Sequence, residues 1–403
     1  MSSDLKRVVI IGGGFAGLRA LYRLKEYDYH FEVTLVDKND YSLEKPALPE
    51  VAIEDKKEES VKFLLPPVAR EAKSAFSLGE VVKIDKDEKK VILNSGEELN
   101  YDYLIIASGA IKDYDAIKGY REFGYSICDD VEAKRLQERL KSFNGAKVVT
   151  GAAKSQFSQN SKAPKLNAPC EGPIGEVMFM LKHKFKDKVD IEVFSPSKIF
   201  FEDVGEKARG VVAKIMQEKG IKVSTNKIIK EIKESSVLFE DESLIDSDLT
   251  IVIPPYKAPK FIADAGLGDD TGWLDVDESM QSTKDNSIFG CGDVTNLTQP
   301  KLGHIAINEA DVAVSSILKT EGIEHKEVEF KPEVFCIMNM GGADGVLIYS
   351  DVLYDKGHDL AWHSKLAKAM KISFDSEYHY THGHMPPDSI VEILEDILQK
   401  FSK

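Results

Sequence analysis

Residues 8–18 read Val-Val-Ile-Ile-Gly-Gly-Gly-Phe-Ala-Gly-Leu, and this stretch decides the fold. The apolar run Val8 to Ile11 suits a parallel strand buried on both faces. Gly12, Gly14 and Gly17 then fall at G-x-G-x-x-G spacing. Glycines so placed allow a tight turn, close approach of the backbone to a pyrophosphate, and close packing of helix on strand. Phe15 and Ala16 complete the turn. Leu18, Leu21, Tyr22 and Leu24 continue at helical spacing, in a helix whose N-terminal N–H groups face the phosphates. A second strand, Phe31 to Val36, ends at Asp37, twenty residues past Gly17. An acid there accepts hydrogen bonds from adenosine ribose hydroxyls.

Two later segments choose between dinucleotides. Tyr103 to Gly109 is a strand ending in the small residues Ala107, Ser108 and Gly109, and Asn286 to Val294 is a strand closing on Gly292-Asp293. Together with the first loop they resemble the three FAD motifs of the two-dinucleotide-fold flavoproteins, so FAD is the expected cofactor. A second nucleotide-type unit begins at Lys147, but its loop reads Gly151-Ala152-Ala153-Lys154 and has lost the glycine pattern. Nicotinamide binding is not expected there.

The βα alternation predicts an α/β protein with two Rossmann-like, doubly wound domains. The FAD domain is expected over 1–112 and 281–330, the second domain over 113–280, and a C-terminal membrane-associating region over 331–403. A chain of 403 residues can hold such cores, and a net charge of −15 disfavours a nucleic-acid partner. No apolar run approaches the roughly 20 residues that span a bilayer. A core strand already at residue 8 leaves no visible secretory signal. His379, His382 and His384 share one loop without a clear fourth ligand, so no metal is expected.

Four cysteines remain: Cys128, Cys170, Cys291 and Cys336. Cys291, inside the Gly-Asp motif, reads as a small core residue. Cys170 lies in a proline-flanked loop before the helix Ile174 to Leu181, where the helix dipole would favour a thiolate. Cys336 follows a strand-like stretch. On this scaffold, Cys128, Cys170 and Cys336 resemble the three cysteines of the sulfide:quinone oxidoreductases, with archaeal members as the nearer ones. The resemblance extends to Asp37–Tyr41, Pro46–Ala52 and Pro300–His304. Two histidines common in that family are replaced here, one by Glu132 and one in the segment Phe200-Phe201-Glu202.

The resemblance implies a mechanism. Hydrosulfide attacks the Cys170–Cys336 pair, joined directly or through sulfur, leaving a persulfide and a thiolate that passes electrons to FAD. Lys301 would stabilise charge on the flavin, and Lys38, Pro46, Val82 and Gly303 would join the cofactor site. Cys128 would be either an accessory thiol or a surface bystander, and Glu132, Glu171 or water would relay protons. A membrane quinone accepts the electrons in a pocket walled by Phe335, Met338 and Met340. Peripheral, monotopic attachment to the cell membrane is expected through an interfacial helix over Asp359–Lys371, with lysines reaching headgroups, or through a last helix capped by Asp388. A homo-oligomer is expected. The rivals are a type II NADH:quinone dehydrogenase, which needs the missing second glycine loop, and the flavoprotein subunit of a flavocytochrome c sulfide dehydrogenase.

Overall fold

The computed structural model describes residues 5–157, 164–297, 300–354, 357–386 and 388–402. Its first sheet is parallel and five-stranded, in the order Ile288–Gly290, Tyr103–Ile106, Lys6–Ile11, Phe31–Asp37, Ala75–Leu78. Val8 to Ile11 are buried, as a central strand covered on both faces requires. The Phe15–Lys25 helix covers one face and is fastened to the Gly303–Thr320 helix. Arg19 and Arg23 both reach Asp311 there, at 2.6 and 2.8 Å.

The second sheet repeats four strands of the first in order, while its edge strand Gly124–Tyr125 enters at the start of the unit and Ile288–Gly290 at the end of the first. Its order is Gly124–Tyr125, Leu249–Ile253, Lys147–Ala152, Asp190–Phe194, Lys222–Ser224, again all parallel. Each unit also carries a three-stranded antiparallel meander, starting at Val81 in the first and at Ile229 in the second.

The chain passes between the two units on a pair of antiparallel crossing strands, Ile111–Lys112 and Tyr256–Lys257. The outward crossing lies at Ile111–Lys112. The return comes earlier than the expected 281. Ile262, Leu267, Leu274, Val276 and Met280 already pack in the first core, so burial assigns residues from about 258 to the first unit.

The C-terminal region is a three-stranded antiparallel sheet, Val334–Asn339, Gly345–Ser350 and Asp359–Ser364, with helices Lys365–Tyr380 and Asp388–Ser402 after it. The expected helix over 359–371 is therefore corrected. Gly345–Ser350 is buried along its whole length and needs a ladder on both sides, which Asp359–Ser364 supplies, with Leu347 opposite Trp362. The Asp359 carboxylate also accepts from Lys207 N at 2.7 Å, tying this strand to the Glu206–Glu218 helix. The helix starts only at Lys365, where Ser364 accepts from Ala367 N. Lys368 and Lys371 are buried, so they do not reach outward. The Asp388 side chain, expected as a cap, lies outside the described residues. Among the described residues no helix is long and apolar enough to cross a membrane.

Candidate active site

The glycine turn forms because nothing larger fits. Gly12 has φ +108°, and a Cβ on it would stand 2.4 Å from the Ala107 carbonyl oxygen; one on Gly17 would stand 1.8 Å from the Gly12 oxygen. The space above Gly14 and Gly109 is open to 4 Å. The Phe15–Lys25 helix has no side-chain cap, so its first N–H groups are offered to a ligand. Asp37 accepts from Gly13 N at 2.7 Å and Asn39 N at 2.8 Å, which holds the turn against the end of the second strand.

The other two motifs converge on the same groove. A Cβ on Gly292 would lie 3.3 Å from Ala16, and one on Gly303 would lie 3.7 Å from the Phe15 ring. Ser108 Oγ is buried there without a partner. An open cradle, uncapped N–H groups, a ribose-side acid and an orphaned hydroxyl fit FAD. Lys38 is exposed beside Asp37, and Pro46 is half-buried. Val82 sits at an irregularity of the first meander, 49 % exposed. Lys301 turns inward. Its ammonium donates to the Thr295 carbonyl at 2.7 Å and lies 4.8 Å from the Trp273 ring centroid, and burial lowers its pKa to about 8.

Cys170 and Cys336 come together. A Cβ on Gly172 would lie 3.5 Å from the Cys336 sulfur and 4.0 Å from the Cys170 sulfur, so the two thiols face one another across the space that glycine leaves. Two glutamates lace the surrounding loops. Glu171, at the N-cap of the Gly172–Phe185 helix, accepts from Ser195 Oγ at 2.6 Å and from Phe201 N at 2.6 Å. Glu202 accepts from Asn167 N at 2.5 Å. The Cys170 loop is also pinned to the first unit, Lys301 N donating to the Pro169 carbonyl at 2.8 Å.

The expectation that the helix would favour a Cys170 thiolate is overturned. Burial pushes that thiol well above its usual value, Asp203 and Cys336 add to the rise, and the Gly172 N–H only partly opposes it. Burial likewise pushes Cys336 up to about 12, with Glu176 adding and Lys371 opposing. Desolvation outweighs a dipole worth at most about 2 kcal/mol. A thiolate released between these residues is therefore unstable where it stands and is driven to give up its charge.

Cys128 sits beside Tyr256, on which the charge of Cys170 also acts. Its sulfur is 3.7 Å from Tyr256 Oη, on the return crossing strand. Lys112, on the outward strand, stands 4.2 Å from the Tyr256 ring centroid and 4.0 Å from the Asp293 carboxylate. Cys128 thus adjoins the Gly-Asp motif from the second unit. Cys291 is fully buried in the first core.

The expected relay residues are engaged elsewhere. Glu132 pairs with Arg135 at 3.1 Å, and Glu171 is held as described, burial raising its pKa to about 8. The expected quinone wall divides. Strand alternation puts Met338 and Met340 with Cys336 against the second core, both buried, whereas Phe335 and Ile337 face the C-terminal helices. Sequence reading misses Glu176, Asp203 and Lys371. Glu176 is detectable as one carboxylate within the apolar run Ile174 to Leu181; Asp203 and Lys371 come from distant segments. Among the described residues no group of three or more His, Cys, Asp or Glu side chains could hold a metal.

The chain matches the pyridine nucleotide-disulphide oxidoreductase family over residues 6–310. It is 25% identical to a sulfide-quinone reductase of Aquifex aeolicus over 98% of this chain and 95% of that one. It is 31% identical to a type II NADH:quinone oxidoreductase of Staphylococcus aureus, over only 35% of each chain. The solved structure of the Aquifex aeolicus sulfide:quinone oxidoreductase superposes with a TM-score of 0.87 at 23% identity, covering 98% of this chain and 96% of that one.

Proposed function

The chain belongs to the pyridine nucleotide-disulphide oxidoreductase family, and we propose that within it this protein is an FAD-dependent sulfide:quinone oxidoreductase. The observation that carries the reading is the pairing of Cys170 and Cys336 across Gly172, in a loop pinned to the cofactor domain. A relative similar along nearly the whole chain supports it.

Gly12, Gly14, Gly17, Asp37, Ser108, Gly109, Gly292 and Asp293 would hold FAD, which when bound accepts two electrons from sulfur and gives them up to quinone. The protein's own residues do the rest. Hydrosulfide attacks one sulfur of the oxidised or sulfur-bridged pair. An S–S bond breaks, a new one forms to the incoming sulfur, and the other cysteine leaves as a thiolate. Gly172 provides the room for that added sulfur. Burial makes the thiolate short-lived, since it disfavours the charge more than Lys371 offsets it at Cys336. Glu171 and Glu202 hold the Cys170 loop in place, so the geometry persists while the sulfur chain grows.

Quinone is taken from lipid, and the C-terminal region presents the surface for it. Trp362, Leu366, Ile393, Ile397 and Phe401 are exposed there, while Lys368 and Lys371 turn inward. Hydrophobic insertion more than headgroup pairing would then hold the enzyme peripherally on the membrane. Of the expected wall residues Phe335 faces that region, with Ile337 beside it on the same strand face. Co-flotation with liposomes should weaken in the doubly substituted Ile397→Asp, Phe401→Asp protein; unchanged flotation would remove this surface from the account.

Steady-state quinone reduction with sulfide against NADH tests the function. Sulfide is expected to support turnover. NADH alone as donor would move the protein to the type II dehydrogenases.

A further inference from the structure

Four carboxyls and one ammonium meet between the Cys336 strand and the Lys365–Tyr380 helix. Lys371 Nζ lies 3.5 Å from Glu50, 3.8 Å from Glu176 and 3.5 Å from Asp375, and donates to the Pro46 carbonyl at 2.9 Å. Asn339 fixes two of the acids, its backbone N–H donating to Glu176 at 2.7 Å and its side-chain amide to Glu50 at 2.9 Å.

Glu44 completes the group. It faces Asp375, with Lys56 and Lys371 as the cations whose charge reaches it. Glu44 is fully buried and neither of its carboxyl oxygens meets a donor; Asp375 Oδ1 meets none either. Two such carboxylates side by side cannot both stay ionised, and one proton held between them relieves both. Burial, with each acid's neighbour adding, pushes Glu44 and Glu176 up to about 8 and raises Asp375. The charges of Glu176 and Lys371 both act on Cys336. The cluster therefore starts beside the cysteine pair and ends under the C-terminal helix.

We propose that Glu44 and Asp375, sharing a proton beside Lys371, form a proton store that serves the sulfur and quinone half-reactions. The inference rests on the sulfide:quinone reading. Oxidation of hydrosulfide to zero-valent sulfur breaks the S–H bond and releases two electrons and one proton. Reduction of quinone to quinol takes up two electrons and two protons, forming two O–H bonds. The net reaction draws one further proton from solvent. A buried carboxyl pair whose double ionisation is disfavoured, set between the cysteine strand and the C-terminal helix, can take up the first proton and supply it again.

The test uses the FAD-loaded enzyme and its Glu44→Gln and Asp375→Asn variants, with retained flavin absorbance reporting the fold. Infrared difference spectra of wild type minus each variant at neutral pH should show a deuterium-sensitive band of a protonated buried carboxyl, over the contributions of Glu171 and Glu176 that all three proteins share. Sulfide-driven quinone reduction should fall about tenfold or more, and its loss on raising the pH through about 8 should move in the variants. Absence of the band from the difference spectra overturns the store. A band lost in the variants with rate and pH profile unchanged overturns its role. Wild-type enzyme that never reduces quinone with sulfide overturns the functional reading itself, which the infrared band does not test.

Discussion

The strands Lys6–Ile11 and Lys147–Ala152 hold the same central place in two sheets that share four strands in the same order, but the chain leaves them by different routes. In the first unit three residues, 12–14, lead to the helix at Phe15. In the second, nineteen residues, 153–171, intervene before the helix at Gly172. Both helices keep a glycine at their start. The space above Gly14 is empty and suits a pyrophosphate, whereas the space beside Gly172 lies between two sulfurs. At the second helix a carboxylate, Glu171, occupies the cap, and it turns to the loop at 195–202. One shared strand order thus yields a nucleotide site and a sulfur site, according to what stands at the N-terminus of the crossover helix.

The largest expected effect that can break this comparison is in the first unit. Gly17→Val forces a Cβ into the Gly12 carbonyl, 1.8 Å away, and should yield protein without bound flavin; a full flavin spectrum would contradict the account of the turn. Next in size, Gly172→Ala fills the space between the sulfurs with a methyl at ordinary contact distance. The protein should keep FAD and both thiols, yet release less sulfane sulfur on cyanolysis after sulfide treatment, with flavin bleaching slowed about tenfold, a loss of about 1.4 kcal/mol of barrier stabilisation. Unchanged sulfane sulfur would mean the chain grows elsewhere.

Glu171 sharpens the contrast more gently. Glu171→Ala leaves Phe201 N without its acceptor and should cost about 1–3 kcal/mol of stability, read as a lower Tm. Smallest is a pH effect. Burial raises the folded Glu171 pKa from 4.5 to about 8, so the folded state binds the extra proton. Its contribution to stability is full below the unfolded value and is lost as pH rises through about 8. Tm should therefore fall over that window, and Glu171→Gln should flatten the part of the slope due to this group. An unaltered slope would show that Glu171 is not the group responsible.

The nucleotide unit is legible in the sequence because its constraints are local. Gly12, Gly14, Gly17 and Asp37 lie within one βαβ stretch, and each is demanded by backbone geometry. The pairing of Cys170 with Cys336 is reachable only through a family resemblance, since they stand 166 positions apart. Thiol ionisation escapes sequence reading for a related reason: burial by distant segments overrides the helix dipole visible locally. The 359–371 segment misleads because Trp362, Leu366 and Met370 are spaced like a helix stripe, while the buried strand Gly345–Ser350 claims Asp359–Ser364 as its partner. The Lys371 cluster joins helices and a strand from four separate parts of the chain, and no spacing rule announces it.

The most direct test of the central claim is single-turnover flavin reduction monitored by absorbance in a stopped-flow instrument. Sulfide should bleach the wild-type flavin and NADH should not. Cys170→Ser and Cys336→Ser should each keep FAD and lose the sulfide response. Bleaching by NADH, or bleaching by sulfide at the wild-type rate in both cysteine variants, would contradict it.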